Sequence, residues 1–163
     1  MQRTMEKTKL AGPLLALDLG QKRVGVAVSD ALLISVTKLP PLGRSNWKQL
    51  LTDVRVLIKR FSVKALVVGF PLGLDGSEGQ AAGAVHETAE KFALSLGLPV
   101  YLQDERLTSV EAEDQLRAAG RDFHEIRQLI DGQAAAIILT DFMAGGQDRV
   151  LVSRQDDGKK ASR

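Results

Sequence analysis

Three carboxylates lie beside apolar runs of the chain, where a buried charge needs a partner. Asp18 lies at the end of one run, Glu105 follows a second, and Asp131 precedes a third. Carboxylate oxygens are the ligands that Mg²⁺ and Mn²⁺ prefer, and two such ions about 4 Å apart can hydrolyse phosphodiesters. The chain has no Cys and only two His, which agrees with all-oxygen ligation. The sequence therefore predicts a two-metal site formed by these three side chains.

Each carboxylate also has a purely structural interpretation. Asp18 could cap a hairpin turn, and either Asp104 or Glu105 could be an ordinary loop carboxylate. Asp131 could be the N-cap of a helix, or a first-turn residue favoured by the helix dipole. The hypothesis of a metal site depends on the combination, because each signal alone is weak.

The elements that would position these carboxylates follow the order β-β-β-α-β-α-β-α-α. This order predicts an α/β fold with a five-stranded mixed sheet, whose first three strands form an antiparallel meander, and helices on both faces. Ligands in such sheets gather beyond the carboxyl ends of the parallel strands, where Asp18 and Glu105 would lie. The predicted strands are 13–19, 23–29, 32–39, 64–70 and 99–103, and the predicted helices are 45/46–61, 80–96, 108–120 and a last helix after a break near residue 131.

Glycines and cations surround the predicted metal site. A loop over residues 69–79 has four glycines between a strand and a helix N-terminus, a place where phosphate can bind. It lacks the Gly-Lys-Ser/Thr ending of a P-loop, and a mobile surface loop is the alternative interpretation. Basic residues beside the carboxylates would suit a phosphate backbone or would neutralise the acids. The predicted substrate-binding residues are Gly20, Lys22, Arg23, Gly69, Pro71, Gly76, Ser77, Arg106 and Thr108.

Composition places limits on the class of protein. The chain has 163 residues and a net charge of +2, and both chain ends are basic. We predict a flexible basic tail over residues 1–12, one nuclease-type domain over 13–146, and a C-terminal segment with a basic tail over 147–163. No apolar run is long enough for a membrane span or a secretory signal, which predicts a cytoplasmic protein. Low aromatic content argues against a base-stacking platform.

Four segments in order resemble the motifs of the YqgF family, also called the RuvX-type Holliday-junction resolvases or pre-16S rRNA nucleases. They are LALDLGQKRVGVAVSD (15–30), VVGFPLGLDGSE (67–78), DERLT followed by Glu111 and Ala112 (104–112), and IDGQAAAIIL (130–139). The resemblance implies an RNase H-like fold, with Asp18, Glu105 and Asp131 as catalytic metal ligands. Gly132 departs from the Ala or Ser expected after Asp131, and Gly73 stands where many relatives have Asn.

The function predicted from the residues and the resemblance is that of a metal-dependent nuclease acting on structured nucleic acid. RNA is favoured, as 5′-end processing of precursor 16S rRNA or RNA turnover, because no feature secures the dimer that paired nicks in a DNA junction need. The expected state is a monomer or a weak homodimer, with Mg²⁺ or Mn²⁺ as cofactor. The alternatives are a Holliday-junction resolvase and a noncatalytic nucleic-acid or nucleotide-phosphate binding module.

Overall fold

The computed structural model describes residues 10–71, 79–105, 114, 117–120, 123–145 and 150–152, with the side chains of 123–131 and 150 excepted. Six strands and three helices have bounds along this part of the chain. The strands are β1 (Leu14–Leu19), β2 (Arg23–Ser29), β3 (Val36–Gly43), β4 (Ala65–Phe70), β5 (Val100–Asp104) and β6 (Val150–Leu151), and the helices are α1 (Trp47–Phe61), α2 (Gln80–Leu96) and α3 (Phe123–Met143).

The strands form one mixed sheet in the order β3-β2-β1-β4-β5-β6. The first three strands are an antiparallel meander, and β1, β4 and β5 run parallel to one another. This confirms the predicted meander and the predicted mixed sheet. The carboxyl ends of β1 and β5 therefore lie at the same end of the sheet. Among the described helices, none is long and apolar enough to cross a membrane.

Two apolar cores lie on opposite faces of the sheet, because alternate strand residues point to opposite faces. We call the face covered by α1 and α2 the first face; its core contains Leu15, Leu17, Leu66 and Phe92. The second face is covered by α3, and its core contains Leu14, Ala16, Ala27, Ala65, Val67, Ala135, Ile138, Leu139 and Phe142. Helices on both faces are thus confirmed.

The third strand differs from its predicted bounds. It begins at Val36 rather than at Leu32, and it continues through Pro40 and Pro41 to Gly43, past the predicted end at residue 39. β3 is an edge strand, so one side of it needs no N–H donors. The register with β2 also shifts between Val24 and Val26, where β3 has an extra residue. A bulge therefore accommodates the prolines.

The C-terminal part of the chain gives two further differences. The predicted break near Asp131 is absent from the last helix: α3 is continuous from Phe123 to Met143. The two-residue strand β6, which pairs antiparallel with β5, has no counterpart in the prediction, since two residues show no periodicity. The helix predicted over 108–120 lies largely outside the described residues. The other elements begin and end within a residue or two of their predicted bounds.

Candidate active site

Asp18 is the fifth residue of β1, which lies between β2 and β4 at the centre of the sheet. Leu14 and Ala16 contribute to the second core, and the alternation of the strand places Asp18 on the same face. The turn that follows is tight, since the N–H of Gly20 donates to the Asp18 carbonyl at 3.1 Å. A Cβ at Gly20 would lie 2.6 Å from the Arg23 carbonyl oxygen, so this turn requires glycine.

Glu105 follows the last residue of β5, and its N–H donates to the Phe70 carbonyl at 3.1 Å. Its partly buried carboxyl is hydrogen-bonded to the carboxyl of Asp18. Burial first, then the charge and hydrogen bond of Asp18 and the charge of Asp104, together raise the pKa of Glu105 to about 8. Two carboxylates in contact cannot both stay charged unless a cation lies between them, so in the absence of one they share a proton. A role for Asp18 as a turn cap alone does not account for its hydrogen bond to the carboxyl of Glu105.

Gly69 makes the space in which the Glu105 carboxyl lies. A Cβ at this position would be 2.5 Å from Oε2 of Glu105 and 2.6 Å from Cδ1 of Ile138. Both distances are shorter than carbon packing allows, so no other residue fits without movement of its neighbours. The structure places Gly69 beneath the carboxyl of Glu105 and the side chain of Ile138, and its contact with substrate stays a prediction.

Asp131 lies within α3, and its side chain is outside the described part of the structure. Farther along α3, Ala135 and Ile138 are fully buried against the sheet. Gly132 does not loosen a helix start, because it lies nine residues inside α3 and a Cβ there would meet Lys38 of β3 at an ordinary 3.7 Å. The structure thus places α3 over the second face but leaves the Asp131 carboxylate as a predicted ligand.

Gln103 is a residue of the site that the sequence analysis missed. It pairs in register with Gly69, and the alternation of β5 puts it on the same face as Tyr101, in the second core. Its side chain is 6% exposed, and its Oε1 accepts no hydrogen bond among the described residues. A buried carbonyl oxygen without a donor is costly and is available to a cation. The only signal in the sequence was a polar residue in an apolar strand.

The predicted substrate residues fall into two groups. Lys22 is exposed beside the β1–β2 turn. Arg23, the first residue of β2, is also exposed, and it interacts with another group of the protein. Pro71, which directly follows β4, is partly buried. Gly76, Ser77, Arg106 and Thr108 lie outside the described residues, and so does Gly73.

Arg44 is a second residue that the sequence analysis missed. It follows β3, and its Nη1 donates to the Gly20 carbonyl at 2.7 Å. Its backbone N–H donates to the Lys22 carbonyl at 3.1 Å. Arg44 therefore holds the turn after Asp18 from the neighbouring strand end. No motif in the sequence indicates this, because the contact depends on the pairing of β2 with β3.

The donor set fits a hard divalent cation. The described part of the chain contains no group of three acidic, His or Cys side chains close enough to hold a metal, with the Asp131 side chain outside that search. What the described residues supply is the hydrogen-bonded pair Asp18 and Glu105, with the unpartnered Oε1 of Gln103 on the same face. These are oxygen donors with an excess of negative charge, the chemistry that suits Mg²⁺ or Mn²⁺.

Comparisons with known proteins agree with this geometry. A family model described as "RuvX: Holliday junction resolvase" matches residues 12–145. A protein of Anaeromyxobacter sp. (strain Fw109-5) named "Putative pre-16S rRNA nuclease" is 38% identical over 131 residues, covering 80% of this chain and 96% of that protein. A protein of Picosynechococcus sp. with the same name is 40% identical over 129 residues, covering 79% of this chain and 90% of its own.

Among solved structures, the fold is similar to that of T. thermophilus RuvC in complex with a Holliday junction substrate. The TM-score is 0.53 at 18% identity, and the match covers 84% of this chain and 98% of that one. A second Thermus thermophilus RuvC structure gives a TM-score of 0.50 at 17% identity. The fold is therefore RNase H-like, and the chain belongs to the RuvX family.

Proposed function

We propose that this protein is a divalent-metal-dependent nuclease that hydrolyses phosphodiester bonds in structured RNA, with the 5′ end of precursor 16S rRNA as its substrate. The observation that carries the proposal is the hydrogen-bonded pair of Asp18 and Glu105 beneath α3. The pKa of Glu105 is raised to about 8, because two partly buried carboxyls lie side by side. Such strongly shifted pKa values cluster at functional sites.

Asp18, Glu105 and Asp131 would hold one or two Mg²⁺ or Mn²⁺ ions. A bound divalent ion supplies activation of the attacking water and stabilisation of the leaving oxygen. The carbonyl oxygen of Gln103 would serve the same site, either as a ligand or as an acceptor for an ordered water. Ile138 is fully buried, and its side chain lies over Gly69 as the carboxyl of Glu105 does, so it would limit the access of water from the α3 side.

The side chains of the protein have two tasks beyond holding the cation. Glu105 would keep a proton on its carboxyl in the metal-free protein and would be ionised, as a ligand, in the metal-bound protein. Lys22 and Arg23, beside the turn after Asp18, would attract and orient the phosphate to be cleaved. The tight turn at Gly20 lets that phosphate approach the backbone.

Two observations favour RNA over a four-way DNA junction. The relatives named for pre-16S rRNA are 38–40% identical to this chain and match it over 90–96% of their own length. The junction-bound RuvC is 18% identical. A junction resolvase is kept as the second candidate because the matching family model is described in those words. It would need a homodimer to make paired nicks.

The test is a cleavage assay on two substrates in parallel, each with Mn²⁺, with Mg²⁺ and with EDTA. One substrate is a structured precursor rRNA fragment, and the other is a mobile four-way DNA junction. Asp18→Asn is the control against a contaminating nuclease, because it removes one charge with little change of volume.

Cation-dependent cutting of the RNA, lost in Asp18→Asn, is the expected result. Paired symmetric nicks in the junction, without cleavage of the RNA, would replace the proposal with the second candidate. Binding of either substrate without cleavage in any metal would leave a noncatalytic nucleic-acid binder. Equal rates for the wild type and Asp18→Asn would contradict the assignment of the site.

A further inference from the structure

A second cationic feature lies on the first face of the sheet, away from the carboxylates. It is a pocket of about 170 Å³ between the start of α1 and the middle of α2, lined by Arg44, Trp47, Leu50, Thr88 and Lys91. Leu50 forms its apolar floor, since it is buried in the first core. The pocket is open to solvent at Lys91, which is exposed.

In the described part of the chain, no acidic side chain pairs with the two cations of this pocket, Arg44 and Lys91. Arg44 uses one N–H for the Gly20 carbonyl, and its guanidinium keeps further donors. Nζ of Lys91 lies 5.5 Å from the ring centroid of Trp47, a cation–π contact that holds it at the pocket without neutralising it.

Trp47 is not open for stacking on a base. The Phe92 ring packs against it, with centroids 4.8 Å apart and planes at 55°, and Lys91 lies over the same indole. The side chain of Thr88 donates to the Ala84 carbonyl of its own helix. The side chains of Arg44 and Lys91 supply charged donors to this pocket, which favours an anion rather than a base.

Arg44 connects this pocket to the candidate active site. Its guanidinium donates to the carbonyl of Gly20, and Gly20 in turn bonds to the carbonyl of Asp18. The pocket therefore adjoins the end of the sheet at which Asp18 and Glu105 lie, but on the opposite face. A strand held at the pocket would pass over the β1–β2 turn to reach the carboxylates.

We infer that the pocket of Arg44, Trp47 and Lys91 is a second phosphate-binding site, which holds the phosphodiester backbone of the substrate strand beside the cleaved phosphate. This inference rests on the proposed function for its identification of the strand as substrate. Two cations that line a small pocket, and that have no carboxylate partner among the described residues, match one phosphate group of a chain. They recognise the backbone and not the base sequence.

Trp47 is the only tryptophan of the chain, so its intrinsic fluorescence reports on this pocket alone. The experiment titrates full-length Asp18→Asn protein in EDTA with three probes, namely inorganic phosphate, a uridine RNA oligonucleotide and a thymidine DNA oligonucleotide of equal length. Trp47 emission and the anisotropy of a labelled strand are measured in parallel over a series of salt concentrations.

Lys91→Gln removes the cation over the indole, and Lys91→Arg restores it. Lys59→Gln is the matched control, because Lys59 is an exposed lysine in the last turn of α1, at the opposite end of that helix from the pocket. We expect Lys91→Gln to weaken strand binding by about fivefold, the effect of one partly exposed ion pair. The slope of log K against log salt should fall by about 0.7, one phosphate contact of a single strand.

Strand binding that changes Trp47 emission, and that Lys91→Gln weakens while Lys91→Arg and Lys59→Gln do not, supports the inference. Anisotropy that reports binding without any change in Trp47 emission overturns it, and so does the absence of strand binding at low salt. Inorganic phosphate binding as tightly as the oligonucleotides would make this a free-phosphate site and would also overturn it. This test measures binding and not cleavage, so its outcome is independent of the nuclease assay. Either test can fail while the other succeeds.

Discussion

The two faces of the sheet are packed with side chains of different size. On the first face, the strands contribute only Leu, Val and Phe to the core, and its alanines, Ala82, Ala89 and Ala93, all lie on α2. On the second face, Ala16, Ala27, Ala65 and Ala135 lie between the sheet and α3. Because protein interiors are densely packed, small side chains bring the backbone of α3 close to the strands. The face with the smaller residues is the one that holds the carboxylates.

The same two faces also differ in charge at the end where β1 terminates. The second face holds Asp18 and Glu105 in contact, with the unpartnered oxygen of Gln103 on the same face. The first face holds Arg44 and Lys91 around an open pocket. A bound cation would balance the charge of the second face, and a bound anion would balance the charge of the first face. A phosphodiester strand with bound metal is a ligand that supplies both charges, which is why the contrast points to nucleic acid.

The largest effect is expected from removal of one acid of the pair. Asp18→Asn should lower the cleavage rate by about 10⁴-fold or more, the scale of losing a central group of an active site. The fold should survive in EDTA, because the substitution also removes the repulsion that raises the pKa of Glu105. Single-turnover cleavage and thermal unfolding measure the two effects. A rate within tenfold of the wild type (about 1.4 kcal/mol) would contradict the site.

Closing the space beneath Glu105 tests the close packing of the second face. Gly69→Ala should destabilise the protein by about 1–3 kcal/mol and should reduce cleavage, because its Cβ collides with Glu105 and Ile138. Gly83→Ala in α2 is the matched control on the first face, since nothing lies within 4 Å of its Cβ. That control should gain about 0.5–1 kcal/mol. Urea unfolding measures the stability of both variants. Equal stabilities of Gly69→Ala and Gly83→Ala would show that a methyl group fits at position 69.

The raised pKa of Glu105 predicts that the stability of the protein depends on pH through this one residue of the second face. The folded protein keeps a proton on Glu105 up to about pH 8, whereas the unfolded chain releases it near the ordinary value of 4.5. Stability of the metal-free protein should therefore fall as pH rises through this window. Glu105→Gln, which cannot ionise, should lose that part of the slope. Melting temperatures in EDTA across this range measure it, and parallel profiles for the two proteins would refute the coupling.

The smallest change in stability is expected at Gln103, where the substitution should act in opposite directions on stability and on metal binding. Gln103→Leu removes a buried carbonyl oxygen that accepts no hydrogen bond among the described residues. Stability in EDTA should be unchanged or higher by up to about 1 kcal/mol. Apparent affinity for Mn²⁺ should fall by about 10- to 100-fold, as for residues that support metal ligands. A loss of stability with unchanged Mn²⁺ affinity would make Gln103 an ordinary core residue.

Much of this architecture was predictable from local patterns. Apolar runs predicted β1, β2, β4 and β5, and the predicted bounds of α1 and α2 agree with the structure almost to the residue. Gly97 ends α2 in the left-handed conformation (φ 66°) that favours glycine after a helix. These features depend on neighbours within a few positions along the chain, so their signals are visible in the sequence. The bounds of β3 and the continuity of α3 were wrong, because tertiary packing decided them.

The sequence by itself determined which residue types could do chemistry and in what order, and Asp18 and Glu105 were identified from it. Only the tertiary structure decided that these two carboxyls touch, that Gly69 makes room for one of them, and that Gln103 and Arg44 belong to the same end of the sheet. The physical reason is the range of each interaction. A strand or a cap is set by adjacent residues, whereas the pKa of Glu105 is set by burial and by a carboxylate 87 positions away in the chain.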